Sequence, residues 1–568
     1  MTTSYQRTDS SQRPYRPPAP PLPEDPTTAT RHLCAAAYLD DDFRNDALQE
    51  VYYQHRRIVA PSYGFDAVPV LGHCLRARNG AIIRDAAIIV VVLAAACFSW
   101  PALVLALSTM IQLQITVATY RLVRDTFRKL RNGDSIPLGT LGPRAMMLGL
   151  GWTVLLLVNL AFVGAAVSSM YDSYRRSGAV EEPAIMGSGT ASGSLVLALL
   201  IFALPVGFSL WRQAELARLT PGNQVAVPAN TARLDEVARQ QRGNTTVYSG
   251  FRPHVGAGNL VDTWGFAQRL VRAEHPAVRD LDGLGQAAAY TERDREFPVA
   301  PFAAQELVDY VRGHLSTLRP QREAEEQIAG LTVEDRICLA GTEVSHLTPY
   351  TPPDLIAAVV RHPTTPARHY LACQVFSWGG ELITTVYVHI AVQGRSLYLE
   401  STTTALPPCR VEYRIVDTVD GNGPMAWLRA VKNGLVDTPR TIWRSPIQLT
   451  AALINLVAGS SAGSGERLRL QQGYDYGARI GIRELGSERD NRFLTQTQDV
   501  WKYKRLIERR VVASVLDFLE DRGIDTAEYR ARVDSVLVNN GMIATGGSTI
   551  KDSVNKGGNI GMPPGVRA

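Results

Sequence analysis

Residues 367–402 read ARHYLACQVFSWGG ELITTVYVHIAVQG RSLYLEST, and this stretch decides the fold of the soluble part of the chain. Two glycine-bearing turns, Gly379-Gly380 and Gln393-Gly394, cut it into three runs rich in β-branched and aromatic residues. That pattern predicts an antiparallel meander. Taking each turn as a two-residue loop pairs Trp378 with Glu381 and Val392 with Arg395. Leu371 then opposes Val388, Cys373 opposes Val386 and Val375 opposes Thr384, while Ile390 meets Leu397 and Val388 meets Leu399. Side chains alternate along a strand, so all of these fall on one face, the core face.

The other face collects Tyr370, Gln374, Tyr387, His389, Tyr398 and Glu400, beside Phe376 and Thr385. The spacing puts His389 between Tyr370 and Tyr398, and Tyr387 beside Glu400. An imidazole and a carboxylate among phenols can bind a polar ligand or move a proton. Those six are the candidate ligand-binding residues. The same set also suits an ordinary half-covered sheet, because Tyr and Thr favour any antiparallel strand. A nucleophile reading through Ser345, His346 and Asp354 is weaker, since no nucleophile elbow accompanies it.

Around the meander the pattern is helical. Leu307, Val308, Val311, Leu315 and Leu318 share one face of a helix expected over 302–318, and Pro353 opens a short helix to Arg361. Further helices are expected near 425–433, over an apolar run at 447–457, over 498–522 with Gly523 as its stop, and from Asp525 to about Val538. The Gly-x-Gly at 256–258 can bring backbone amides to an anion, but it lacks the third glycine and the strand-turn-helix setting of a dinucleotide site. Gly459 to Gly465 resembles a phosphate loop without its lysine and reads as a connection.

Farther out lies a very apolar block from Ala81 to Arg212, with no charge between Ala86 and Tyr120 or between Ala145 and Met170. One straight helix over 86–120 would span about 52 Å, against a hydrocarbon core of about 30 Å. The run therefore reads as two limbs turning at Pro101. The expected spans are 86–100, 102–120, 145–170 and 194–211. Arg121, Arg124, Arg128, Lys129, Arg131 and Arg144 crowd the loop after the second span, and Arg212 and Arg218 follow the last. Excess Lys and Arg belong inside, so both termini are expected in the cytoplasm. No Asp, Glu, Lys, Arg or His falls within those spans, which argues for anchoring or assembly over conduction.

The remainder bounds the function class. A chain of 568 residues, 45% hydrophobic and 20% charged, with this split excludes a purely soluble enzyme, a collagen-like fibre and a fully disordered chain. It also argues against a secretory signal peptide, because the first apolar run begins so late. The basic residues number 59 against 54 acidic and are nearly all arginine, mixed with acids through the C-terminal half, which is no nucleic-acid footprint. The six cysteines lie far apart with no zinc spacing. No metal or cofactor is expected.

The stretches Thr245-Thr-Val-Tyr-Ser-Gly-Phe-Arg-Pro-His-Val-Gly-Ala-Gly258, Gln374-Val-Phe-Ser-Trp-Gly-Gly-Glu381 and Val392-Gln-Gly-Arg-Ser-Leu-Tyr-Leu-Glu400 resemble a family of actinobacterial multi-pass membrane proteins with a large cytosolic domain. The resemblance covers about 240–405 and implies no activity, cofactor or site residue.

The expected fold class is α+β: a four-helix transmembrane anchor, then a cytosolic domain with an antiparallel β-meander and flanking helices. The expected units are a Pro-rich tail (1–31), juxtamembrane helices (32–80), the membrane region (81–212), the α+β domain (213–540) and a Gly-rich tail (541–568). Partners are the lipid bilayer of a bacterial cell and a protein partner or a second copy docked through the membrane helices. Two function classes stay open: a membrane-anchored domain that senses a ligand or recruits a partner, and a membrane-tethered enzyme using acid–base chemistry on the polar sheet face.

Overall fold

The computed structural model describes residues 27–98, 100–132, parts of 143–160, 188–221, 225–229, 231–273, 295–318, 327–344, 348–417, 423–461 and 474–539. The chain begins with α1 (Thr27–Leu39) and α2 (Asp41–Ala47). Asp40 starts α2 by accepting the backbone N–H groups of Asp42 and Phe43, each at 3.1 Å. Two long helices follow, α3 (Ala67–Phe98) and α4 (Trp100–Asn132), parted just ahead of Pro101. Next come α5 (Ala145–Val154), α6 (Ser188–Arg218) and α7 (Ala232–Gln240), then strands β1 (Thr245–Tyr248) and β2 (Asn259–Arg269).

The C-terminal half supplies α8 (Ala304–Ser316), β3 (Leu331–Ala340), α9 (Pro353–Arg361), β4 (Arg368–Ser377), β5 (Leu382–Gln393) and β6 (Ser396–Leu406). It ends with α10 (Pro424–Ser461), α11 (Ile482–Gly486), α12 (Leu494–Asp521) and α13 (Ala527–Asn539). The helices expected near 425–433 and 447–457 are thus one, running through Pro439 and Pro446. That helix also takes in the start of the glycine-rich segment read as a connection at Gly459.

The described strands form one six-stranded sheet in the order β1-β3-β4-β5-β6-β2, antiparallel except for β1 against β3. In the first hairpin Leu371 opposes Val388, Cys373 opposes Val386 and Val375 opposes Thr384, as the turn predicts. The second hairpin differs. Its loop is Gly394-Arg395, with Gln393 opposite Ser396, so Ile390 faces Leu399 and Val388 faces Ser401. Gly394 has φ 61°, and it takes the first loop position rather than the second. The slip is two residues, an even number, so every side chain keeps its face.

The core face carries Leu371, Cys373, Val375, Val386, Val388 and Leu399. Leu307 and Val311 of α8, Ile507, Val511, Val515 and Phe518 of α12, and Tyr529 of α13 pack on them. The spacing of four along α12 keeps its apolar residues on one stripe. A second core joins Leu33 and Tyr38 of α1, Val70, Leu71 and Cys74 of α3, Leu234 of α7, Tyr413 and Ile482. The residues of α1 and α2 are therefore built into the same body as parts of the chain nearly four hundred residues later (Arg31 pairs with Asp417 at 3.0 Å, a separation of 386 residues).

Two described helices are long and apolar enough to cross a membrane: Ala67–Phe98, and Val196–Arg218 within α6. This corrects the expected four. The first begins well before residue 86, because the residues that carry Arg76, Arg78 and Arg84 are helical and continuous with the apolar run. The expected span 102–120 lies in α4, which carries Gln112 and Gln114 and runs on through the basic segment to Asn132. Of 145–170 only the short helix Ala145–Val154 and a few residues after it are described. The expected tails are 1–31 and 541–568; residues 1–26 and 541–568 lie outside the described residues, as do Ser345 and His346, whereas Thr27–Arg31 belong to α1, with Ala29, Thr30 and Arg31 buried.

Candidate functional site

The polar face of the meander is covered at its centre. Tyr370, Gln374, Tyr387 and His389 are all buried; Tyr398 stands at the rim, 38% exposed, with Glu400 beside it. His389 does lie between two phenols, its ring centroid 5.4 Å from Tyr370 and 6.0 Å from Tyr398. Its Nδ1 lies 2.8 Å from the carbonyl oxygen of His369, which can only accept, so this nitrogen carries the proton. Burial holds the imidazole below its usual range despite the bond to that carbonyl and the charge of Glu400. Glu400 pairs across the ladder with His389, not beside Tyr387 as expected, because of the two-residue slip. Its Oε2 accepts from the Tyr398 hydroxyl at 3.0 Å. Gln374 donates to Thr385 Oγ1 at 3.4 Å and edges a cleft of about 90 Å³.

Two segments make the cover. Tyr63 brings its hydroxyl 3.4 Å from that of Tyr387, and the guanidinium of Arg336 lies 5.1 Å over the Tyr63 ring. His254 stacks on Tyr387 with centroids 3.9 Å apart. Burial, reinforced by the charge of Arg336, pushes His254 down to about 4. Burial pushes the hydroxyls of Tyr63, Tyr370 and Tyr387 up. Neutral imidazoles and protonated phenols are what this face presents at neutral pH.

The Gly-x-Gly turn holds an anion of the chain's own. Gly256 and Gly258, both at φ 91°, point their N–H groups at Glu484 Oε1 at 2.9 Å each, and Gly481 donates to Oε2 at 2.9 Å. This is a nest of backbone amides closed by a carboxylate from α11. A third polar cluster was not read from the sequence. Lys504 of α12 is buried, with Nζ 2.8 Å from both Asp262 Oδ2 and Glu508 Oε2. Glu508 Oε1 in turn accepts from Trp264 Nε1 at 2.8 Å and Ser401 Oγ at 2.9 Å. The i, i+4 spacing of Lys504 and Glu508 is the signal that could have shown it, but such pairs usually mark an exposed face.

A polar cavity of about 510 Å³ lies elsewhere, where the N-terminal helices, α3, α6 and α10 meet. Six arginines line it (Arg44, Arg84, Arg212, Arg410, Arg440, Arg444), with Asp40, Asp41, Asp42, Glu412 and Asp437 among them. Arg44 pairs with Asp41 at 2.9 Å, Arg84 with Asp85 at 2.7 Å and Arg410 with Asp40 at 2.8 Å. Arg212 makes no hydrogen bond or ion pair to a described residue.

Residues 263–551, just over half of the chain, match the AbeC-like domain. The chain belongs to the AbeC-like domain family. No curated protein and no solved structure matches it. The AbeC-like region contains the meander, helix α10, the Lys504–Glu508 pair and all six residues predicted on the polar sheet face. Tyr63 and His254, which cover that face, come from outside it. The cavity is likewise shared: Arg410, Asp437, Arg440 and Arg444 belong to the AbeC-like region, whereas Asp40, Arg44, Arg84 and Arg212 do not.

Proposed function

We propose that the protein is a membrane-anchored domain that senses a small polar ligand at the cytoplasmic face of a bacterial membrane. The cavity shared between the AbeC-like region and the apolar helices carries this reading. Its mixed guanidinium and carboxylate lining suits a ligand bearing both charge signs, or an anion that bridges Arg212 of α6 to Arg440 and Arg444 of α10. A ligand that binds the approached arrangement of α6 and α10 more tightly than a parted one shifts the population toward it, which is how occupancy would reach the sheet. In this reading α3 and α6 enter and leave on one face, with both termini in the cytoplasm. The enzyme alternative needs His389 to reach a substrate, and that ring is buried with its Nδ1 proton committed to a carbonyl.

Native mass spectrometry of the detergent-extracted full chain tests the sensing role. A stoichiometric small-molecule adduct is expected, lost in Arg212→Gln. An adduct that survives Arg212→Gln and Arg444→Gln, or none from freshly extracted protein, refutes it. Fusion reporters ahead of α3 and at residue 568 test the topology; an external signal at either overturns it.

A further inference from the structure

Helix α10 is 38 residues long and crosses three helices in turn. At α4, Gln114 Nε2 donates to the carbonyl of Val436 at 2.7 Å, and Lys432 Nζ sits 5.9 Å from the Tyr120 ring centroid. At α6 the backbones touch: a Cβ on Gly434 would lie 2.7 Å from Val206 Cα, so only glycine fits. At α3, Ser445 Oγ donates to Asp85 Oδ1 at 3.1 Å, and Arg84 donates to Gln448 at 3.2 Å. The side toward these helices is small and polar: Ala426, Ala430, Gly434, Thr438 and Ser445 are buried.

The outward side is the opposite in character. Met425, Leu428, Trp443, Ile447, Leu453 and Ile454 are exposed, Trp443 at 81%. At 100° per residue they fall within an arc of roughly 120°, facing away from the packed side. A stripe that apolar is not left to water in a stable fold. Arg429 and Lys432 lie on the arc and Arg440 beside it, against one acid in the whole helix, Asp437. Those charges keep the first half of α10 from crossing a bilayer, while an apolar face edged by cations and tryptophan is the make-up of a helix lying in the headgroup plane.

We propose that α10 is an interfacial strap: it lies in the plane of the membrane surface, its Trp443–Ile454 side among lipid acyl chains and the cations on that side, Arg429 and Lys432, toward anionic headgroups. The inference rests on α3 and α6, against which α10 packs, standing in a bilayer. The committed occupant is lipid.

The test reconstitutes the full chain into vesicles of phosphatidylcholine and phosphatidylglycerol, with Cys97→Ser to remove the exposed native thiol. Nitroxide labels go on Trp443→Cys and Ile454→Cys on the strap, Leu199→Cys on α6 and Leu355→Cys on α9, all exposed positions. Accessibility to oxygen and to a water-soluble nickel chelate is then compared. The expected result is that the strap labels and Leu199→Cys are reached by oxygen and shielded from the chelate, and Leu355→Cys the reverse. The strap labels are expected to lose part of that shielding when phosphatidylglycerol is left out. Strap labels open to chelate while Leu199→Cys is shielded would overturn the strap and leave the membrane reading standing. An open Leu199→Cys would overturn both. Strap labels shielded from both reagents would mean that a protein surface, not lipid, covers the stripe, and would also overturn the proposal.

Discussion

Replacing Lys504 with methionine removes one charge and leaves two carboxylates facing each other across the sheet–helix seam. The side chain of Lys504 is 1% exposed and that of Glu508 5%, so water cannot take over the role of the ammonium. Breaking a buried ion pair by deleting one partner costs about 3–5 kcal/mol. Glu508 keeps two donors, Trp264 and Ser401, whereas no other hydrogen bond to the carboxylate of Asp262 is found among the described residues, so Asp262 carries the larger share. For a unit of this size that loss lowers the unfolding midpoint by about 6–20 °C. The double variant Lys504→Met with Asp262→Asn leaves a neutral amide where the stranded charge stood and should recover most of it. The assay is thermal unfolding of the purified full chain by tryptophan fluorescence, since Trp264 and Trp501 both border the cluster. If Lys504→Met melts within about 2 °C of the parent, or the double variant is no better than the single, then the cluster is solvated and the reasoning fails.

Three further outcomes are expected. Val388→Ala should cost about 2–4 kcal/mol through a cavity under α12, and His389→Ala about 1–3 kcal/mol through an orphaned carbonyl at His369, both read from denaturant midpoints. A neutral His389→Ala would return that face to solvent. His254 binds its proton less readily folded, at about 4, than unfolded, near 6.5, so this group's contribution falls as pH drops from about 6.5 toward 4 and is level above. His254→Phe keeps the stack on Tyr387 and should flatten part of the stability slope between those pH values; an unchanged slope excludes His254 as its source. Glu484→Gln sets an amide NH₂ against one of three inward N–H donors and should cost about 1–3 kcal/mol, with faster amide exchange at Gly256, Gly258 or Gly481; unchanged exchange at all three would show the nest to be loose.

The legible parts of this molecule were those governed by local rules. Two glycine turns and a period of two were enough for the strand order of the meander, and the i, i+4 stripes of α8 and α12 gave their packed faces. Parity protected the faces even where the second register slipped. What lay beyond local rules was what arrives from far along the chain to cover a surface. Nothing near Tyr387 shows that His254 and Tyr63 will sit on it, so a sheet face that reads as an open ligand platform is an interior. The strap of α10 was hidden for a related reason. Its charges and its apolar residues alternate in sequence and separate only once the helix is laid across α3 and α6.

The sequence separation of these contacts has a consequence for how the chain is made. Asp85 sits in a helix that leaves the ribosome early, and the hydroxyl that meets it, on Ser445, follows 360 residues later. At about 5–20 residues per second of synthesis, that is a wait of about 20–70 s. Through that interval α3 has left the ribosome while α10, and beyond it the α12 side of the core, are still unmade. The nascent chain therefore presents α3, α4 and α6 before the helix that packs across them exists, and that face stays open to quality-control proteases until α10 is made.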